Sequence, residues 1–189
     1  MTRFAIVRHG QTDWNLEKRI QGSTDIPLNT LGRAQAAETG LSLRGTRWDA
    51  VVTSPLVRAL ETARIIAGEL DHSAAPLIVP ELTERHHGDI EGLTFAERQV
   101  RFPDGSVVPG LETRQAVLDR VLPALERLAT AHPDRELVVV CHGGVIGTLV
   151  RYATDGERPV PGELIPNGSV HDFHWRAGRL ELESFVSAR

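Results

Sequence analysis

Apolar positions along the chain fall into short runs separated by polar, turn-forming stretches. Phe4-Ala5-Ile6-Val7 is apolar without interruption and flanked by polar residues, the pattern of a buried strand. Ala50-Val51-Val52, Leu77-Ile78-Val79 and Leu137 to Cys141 repeat it, the last most strongly. The intervening stretches carry helical spacing. Leu31, Ala34, Ala37 and Leu41 predict a helix from Leu31 to about Arg44, with Thr30 as its N-cap. Ser54-Pro55 predicts an N-cap followed by a first-position proline, opening a helix that runs to about Leu70 and carries Arg58 in its first turn. Thr94 and Glu97 form a capping-box pattern for a short helix ending before Pro103. A long helix is expected from Leu111 to Ala131, kinked at Pro123, and another from Val145 to Ala153. Ser169 to Trp175 and Arg179 to Phe185 flank Ala177-Gly178 and predict a terminal hairpin. Asp13 to Asn29 and Glu81 to Gly92 read as polar loops, and Pro103 to Gly110 as a turn-rich flap.

Strands alternating with helices predict an α/β layered sheet, with the last hairpin as an antiparallel edge. The length, 189 residues, fits one domain over 1–189 with a full core. Hydrophobic residues at 41% and charged residues at 24% are ordinary for a globular protein. A net charge of -4 gives no reason to expect nucleic acid or an anionic membrane as partner. Cys141 is the sole cysteine, which rules out an internal disulfide and reads as a small core residue. No signal pattern and no bilayer-length apolar run is visible, so a cytoplasmic location is the expectation.

Polar groups of matching chemistry sit where strands turn into helices. Arg8 and His9 follow the first strand, and Gly10 lets the chain turn after them. Arg58 opens the helix after the second strand, and His142 follows the fourth, ahead of two glycines. In an open α/β sheet the ligand crevice lies at the carboxyl ends of the strands. Two histidines and two arginines are therefore expected to meet in one crevice. Helix amino termini at Ser54 and near Gly144 would add free amide donors. Such a site suits a compact dianion, phosphate first. Glu84, beyond the third strand, would place a carboxylate beside it, held protonated by the dianion as donor to a leaving oxygen. The neighbouring arginines would keep His9 neutral and free to attack phosphorus, while His142 would stay charged and stabilise the equatorial oxygens.

Arg8-His9-Gly10-Gln11-Thr12-Asp13-Trp14-Asn15 resembles the opening signature of the histidine phosphatase superfamily, the phosphoglycerate mutase-like proteins. Ser54-Pro55-Leu56-Val57-Arg58-Ala59 with Thr62-Ala63, Leu82-Thr83-Glu84 with Gly88 and Glu91-Gly92, and Val140-Cys141-His142-Gly143-Gly144-Val145 resemble its later motifs, in family order. The resemblance implies a three-layer α/β/α fold with a mostly parallel central sheet. It implies His9 as the phosphorylated nucleophile, Arg8, Arg58 and His142 as the phosphate pocket, and Glu84 as proton donor. Asn15, Gln21, Gly22 and Gly143 match positions that line phosphate or substrate. No metal or other cofactor is implied, and the partner is a small phosphorylated substrate. Two departures bear on substrate choice: Ile90, where many relatives carry tryptophan, and His86-His87 in the acid loop.

Other chemistries fit less well. Gly147, not arginine, lies six positions after Cys141, so a cysteine-phosphatase loop is absent. There is no Asp-x-Asp pair for an aspartyl phosphate and no Gly-Lys pair for a Walker loop. His171 and His174 fall on opposite faces of a strand, which argues against shared metal ligation. His72 and His132 fall near helix ends and read as solvated. One of His86 and His87 is expected to face the substrate mouth, where it could read an anionic group. The short flap favours water as acceptor, so the expected activity is a phosphomonoesterase. The alternatives are a 2,3-bisphosphoglycerate-dependent mutase and a non-catalytic phospho-ligand binding module. Oligomeric state is not readable from the sequence.

Overall fold

The computed structural model describes residues 1–188. Six strands form one sheet: β1 (Thr2–Arg8), β2 (Ala50–Thr53), β3 (Leu77–Ile78), β4 (Glu136–Cys141), β5 (Val170–Arg176) and β6 (Arg179–Ser184). Their spatial order is β3-β2-β4-β1-β5-β6. The first four run parallel; β5 pairs antiparallel with β1, and β6 with β5. The hairpin turn at Ala177 and Gly178 has φ of 48° and 78°, the two left-handed residues that a tight β-turn of matching twist requires.

Strand side chains alternate between two cores. Phe4, Ile6, Leu137, Val139 and Cys141 pack toward α5 (Arg114–Ala131) and α6 (Gly143–Ala153), against Val117, Val121, Leu125, Val145, Ile146 and Leu149. Ala5, Val7, Val51, Val138 and Val140 pack toward α3 (Val57–Glu69), against Ala59, Ala63, Ile66 and Ala67. Outside α3 lies α2 (Thr30–Ser42), whose Gly40 sits directly on Ile66 and Glu69. Both faces of the central strands are therefore covered, which is why their sequences are apolar throughout rather than alternating. Truncating a fully buried leucine such as Leu137 to alanine costs about 2–5 kcal/mol in a core of this kind. Two short helices complete the chain, α1 (Asp13–Leu16) and α4 (Phe95–Arg101). No helix among the described residues is long and apolar enough to cross a membrane.

Several element boundaries differ from the sequence expectation, each for a local reason. Asn29, not Thr30, caps α2, its Oδ1 accepting from the Gly32 amide at 2.9 Å. Ser54-Pro55 does not start α3. The helix begins at Val57, whose amide donates to Asp25 Oδ1 at 2.8 Å, so the cap comes from a remote loop. Leu111 and Glu112 stay out of α5 because they pair with the acid loop: Leu111 bridges His87, and the Glu112 amide donates to the His86 carbonyl at 2.9 Å. Helix α5 starts after Thr113 and continues through Pro123. Helix α6 begins two residues early, at Gly143. The two polar loops hold short helices: α1 in the first, and 3-10 turns at Pro80–Leu82 and Gly88–Ile90 around the second.

Candidate active site

The carboxyl ends of β1, β2 and β4 lie side by side, and each hands one reactive residue to the same crevice. Register places Arg8 beside Cys141 and Thr53 beside Val140, so His9, Ser54 and His142 follow at neighbouring strand ends. The rings of His9 and His142 come within 5.2 Å of each other, centroid to centroid, tilted by 60°. Both are buried, at 2% and 0% exposure.

Gly10 is required by a close approach. A Cβ there would lie 2.1 Å from the Gly32 carbonyl oxygen. The Gly10 amide donates to Thr62 Oγ1 at 3.1 Å, which ties the turn after β1 to α3. His9 Nδ1 lies 2.7 Å from the Gly10 carbonyl oxygen, which can only accept. The ring therefore carries its proton on Nδ1, and Nε2 presents a lone pair.

The two arginines are held by backbone carbonyls, and among the described residues no carboxylate is in salt-bridge contact with either. Arg58 is fully buried and donates to the Gly22 carbonyl at 2.8 Å and the Thr24 carbonyl at 2.9 Å. Arg8 donates to the Ile165 carbonyl. Its own carbonyl accepts from Gly168, and its amide donates to Ser169. Both retain a buried Nε without a protein partner, as does Nδ1 of His142. Three unpaired buried nitrogens around one crevice are costly unless an anion meets them.

Charge follows from this packing. Burial, then Arg58 and Arg8, holds His9 well below the ordinary histidine range. Burial, then Arg58, His9, Arg8 and Arg120, does the same to His142. These influences favour the neutral form of both rings and run against the expectation of a charged His142: burial, then the cationic side chains of Arg58, Arg8 and Arg120, disfavours another proton. Burial also lowers Arg58, and pushes Arg8 down to about 10, with Glu84 acting in the opposite sense on each.

Glu84 is 6% exposed and sits at the edge of the same crevice. Its Oε2 accepts from the Gly144 amide at 3.0 Å and its Oε1 from the Arg85 amide at 2.7 Å. The amide at the start of α6 is thus taken by the acid, and the first amide of α3 by Asp25, rather than left free as the sequence reading supposed. The acid loop is clamped from behind by Arg120. That side chain donates to the carbonyls of Glu81 and, at 2.8 Å, Thr83, and pairs with Glu112 at 2.8 and 3.0 Å.

The remaining expected residues gather around the rim. Gln21 is buried, donates to Thr12 Oγ1, and has a buried Oε1 without a partner. Gly22 supplies the carbonyl held by Arg58, and Gly143 lies against the Arg8 guanidinium, its Cβ position 3.3 Å from Nε. Asn15 closes a capping box with Thr12, its Oδ1 accepting at 3.1 Å from Thr12 and 3.2 Å from Asn167. Sequence reasoning missed Asn167, which also donates to the His9 carbonyl at 3.0 Å. It missed Arg120 too. The Pro-Asn-Gly run at 166–168 gave only a turn signal. His87 is half-buried and has Glu84, Arg85, Glu91 and Glu112 around it; burial lowers its ionisation below the usual range. His86 is exposed.

A mixed sheet covered on both faces, whose parallel strand ends bring two buried histidines, two buried arginines and a carboxylate together, fits an α/β enzyme of the phosphatase and phosphoglycerate mutase-like class. The chain belongs to the histidine phosphatase superfamily (branch 1), whose family model matches residues 4–187. It is 36% identical to the uncharacterized phosphatase PhoE of Bacillus subtilis over 99% of this chain and 98% of that protein. Among solved structures it resembles a mycobacterial glucosyl-3-phosphoglycerate phosphatase in complex with VO3, at a TM-score of 0.84 and 30% identity over 96% of each chain. It also resembles a phosphoserine phosphatase variant from Entamoeba histolytica in complex with phosphoserine, at a TM-score of 0.81 and 30% identity over 98% of this chain and 96% of that one.

Proposed function

We propose that the protein hydrolyses small phosphomonoesters through a phosphohistidine on His9. The observation that carries this reading is a cluster of buried groups: His9 with a lone pair on Nε2, the His142 ring 5.2 Å away, and Arg8 and Arg58 close enough to act on His9, with Nε of each arginine and Nδ1 of His142 lacking a partner among the described residues. Those donors match the equatorial oxygens of a phosphoryl group, and Nε2 supplies the attacking pair. Nε2 forms the bond to phosphorus as the ester oxygen leaves, and Glu84 gives that oxygen its proton. Water then attacks the phosphohistidine, Glu84 takes up the water proton, and inorganic phosphate departs. Asn15, Gln21, Gly22 and Gly143 would line the phosphate or the rest of the substrate. The three relatives described above carry phosphatase names, which supports hydrolysis, while other relatives carry phosphoglycerate mutase names.

Hydrolysis of an activated aryl phosphate by the parent protein and by His9→Ala tests the reading. Equal rates would overturn it. A panel of phosphorylated metabolites scored by phosphate release and kcat/KM names the substrate class. Rapid 2,3-bisphosphoglycerate-dependent interconversion of 3- and 2-phosphoglycerate, with little phosphate released, would replace hydrolysis by mutase activity.

A further inference from the structure

Ser54 follows β2 at the strand end beside His142 and is fully buried. Its Oγ lies 2.8 Å from Nε2 of His142. The same oxygen accepts a hydrogen bond from the Leu56 amide at 3.3 Å. That N–H takes one of the two lone pairs of the oxygen, and Nε2 of His142 is the acceptor within reach of the buried hydroxyl proton among the described residues. Neither Ser54 nor Pro55 starts α3, so this serine is not spent on a helix cap.

A neutral histidine carries one ring proton, and the partner of one nitrogen decides where it resides. Nε2 accepting from Ser54 leaves the proton on Nδ1. That atom, across the ring from Ser54, is buried and has no protein partner among the described residues. A bare lone pair there would repel a phosphate oxygen, whereas an N–H would bind it.

We propose that Ser54 is a positioning residue: its hydroxyl donates to Nε2 of His142 and thereby turns an N–H at Nδ1, rather than a lone pair, toward the phosphoryl oxygens. The inference rests on the phosphoryl-transfer reading of the pocket. It adds a division of labour between the two rings. Gly10 fixes His9 with its lone pair outward, as the nucleophile. Ser54 fixes His142 with its proton outward, as a donor. Two like rings 5.2 Å apart are thus given opposite faces by one carbonyl and one hydroxyl.

The direct test is the imidazole nitrogen spectrum of the parent protein. Long-range proton–nitrogen correlations, with His142 assigned by comparison with His142→Gln, are expected to show a protonated Nδ1 and an unprotonated Nε2 at neutral pH. A protonated Nε2 overturns the proposal, whether or not the protein turns over any ester. In Ser54→Ala the tautomer preference is expected to disappear, and kcat for an aryl phosphate to fall about 10- to 100-fold with a smaller change in KM. Ser54→Thr, which keeps the hydroxyl, is expected to recover most of kcat. An unchanged spectrum and unchanged kcat in Ser54→Ala would also overturn it. Where the alanine variant does not fold, the parent spectrum still decides. Loss of turnover in the parent itself would count against the proposed function and leave the tautomer assignment standing.

Discussion

The Nδ1 of His9 and the carbonyl oxygen of Gly10 are 2.7 Å apart, within one residue of each other along the chain. This short loop of hydrogen bonding makes the orientation of the His9 ring a local property of the turn after β1. His9→Ala is therefore expected to abolish turnover while leaving the fold intact, with kcat lower by at least about 10³-fold. Rapid quenching with a labelled substrate should trap an acid-labile phosphoprotein in the parent and none in the variant.

Glu84 should matter in proportion to how badly the departing oxygen needs a proton. For alkyl monoesters, Glu84→Gln is expected to lower kcat by about 10²- to 10⁴-fold. For p-nitrophenyl phosphate, whose leaving group is stable as an anion, formation of the phosphoenzyme should slow far less. Comparing single-turnover rates for the two ester types checks this. Equal losses for both would remove Glu84 from the role of acid.

Acid inactivation provides a sign test for the cationic crevice. His9 is held below the usual histidine value by burial, then by Arg58 and Arg8, so it remains unprotonated as pH falls through 6.5. The acid limb of kcat/KM due to this group is therefore expected well below pH 6.5. Arg58→Met removes the larger of the two cationic influences and should move that limb toward higher pH, alongside a large loss of rate. A limb that stays put, or moves to lower pH, contradicts the assignment.

Stability should respond to the same pH range through a different histidine. His171 is fully buried beneath the 165–169 turn, where its Nε2 meets Ser169 Oγ at 2.8 Å and its Nδ1 accepts from the Val186 amide at 3.3 Å. Burial pushes its ionisation down to about 4 in the fold, against an ordinary value of 6.5. Between those values the unfolded chain binds the proton and the folded chain does not. The stabilisation is thus complete above pH 6.5 and is lost as pH falls toward 4, by up to about 3 kcal/mol. Denaturant titrations should show this slope, and His171→Gln should flatten it.

The loop that holds Arg58 depends on Glu91. Its carboxylate accepts from the amide and hydroxyl of Thr24, from those of Ser23, and from the His87 amide. Burial works to raise its ionisation, but these hydrogen bonds outweigh it and the net shift is downward. Glu91→Gln is expected to weaken inhibition by inorganic phosphate about 10-fold, because the Gly22 and Thr24 carbonyls lose their register beneath the guanidinium. Isothermal titration with phosphate checks it.

What could be read from the sequence was whatever the chain encodes within a few residues. Arg8-His9-Gly10 and Cys141-His142-Gly143 place reactive groups directly after apolar strands, so the strand ends and their cargo were visible together. What stayed hidden depends on partners far apart in the chain. Ser54 looks like a helix cap until His142, 88 positions on, is brought against it. Arg120 is one of three arginines in α5 until the acid loop folds onto it. Asn167 sits in a run that signals only a turn, and its place at the site is defined by contacts 158 and 152 positions away. The supposed free amides failed for the same reason, since Glu84 and Asp25 reach them from distant loops.

The flap between α4 and α5 is fastened to the acid loop rather than draped over it. The Asp89 amide donates to the Pro109 carbonyl at 3.0 Å, and a Cβ on Gly88 would fall 2.0 Å from that same oxygen. Any lineage that reshapes this rim to admit a new ester also tugs on the loop backbone that carries Glu84, the proposed proton donor. Selectivity and speed are mechanically yoked here, and changes to one are expected to be inherited with changes to the other.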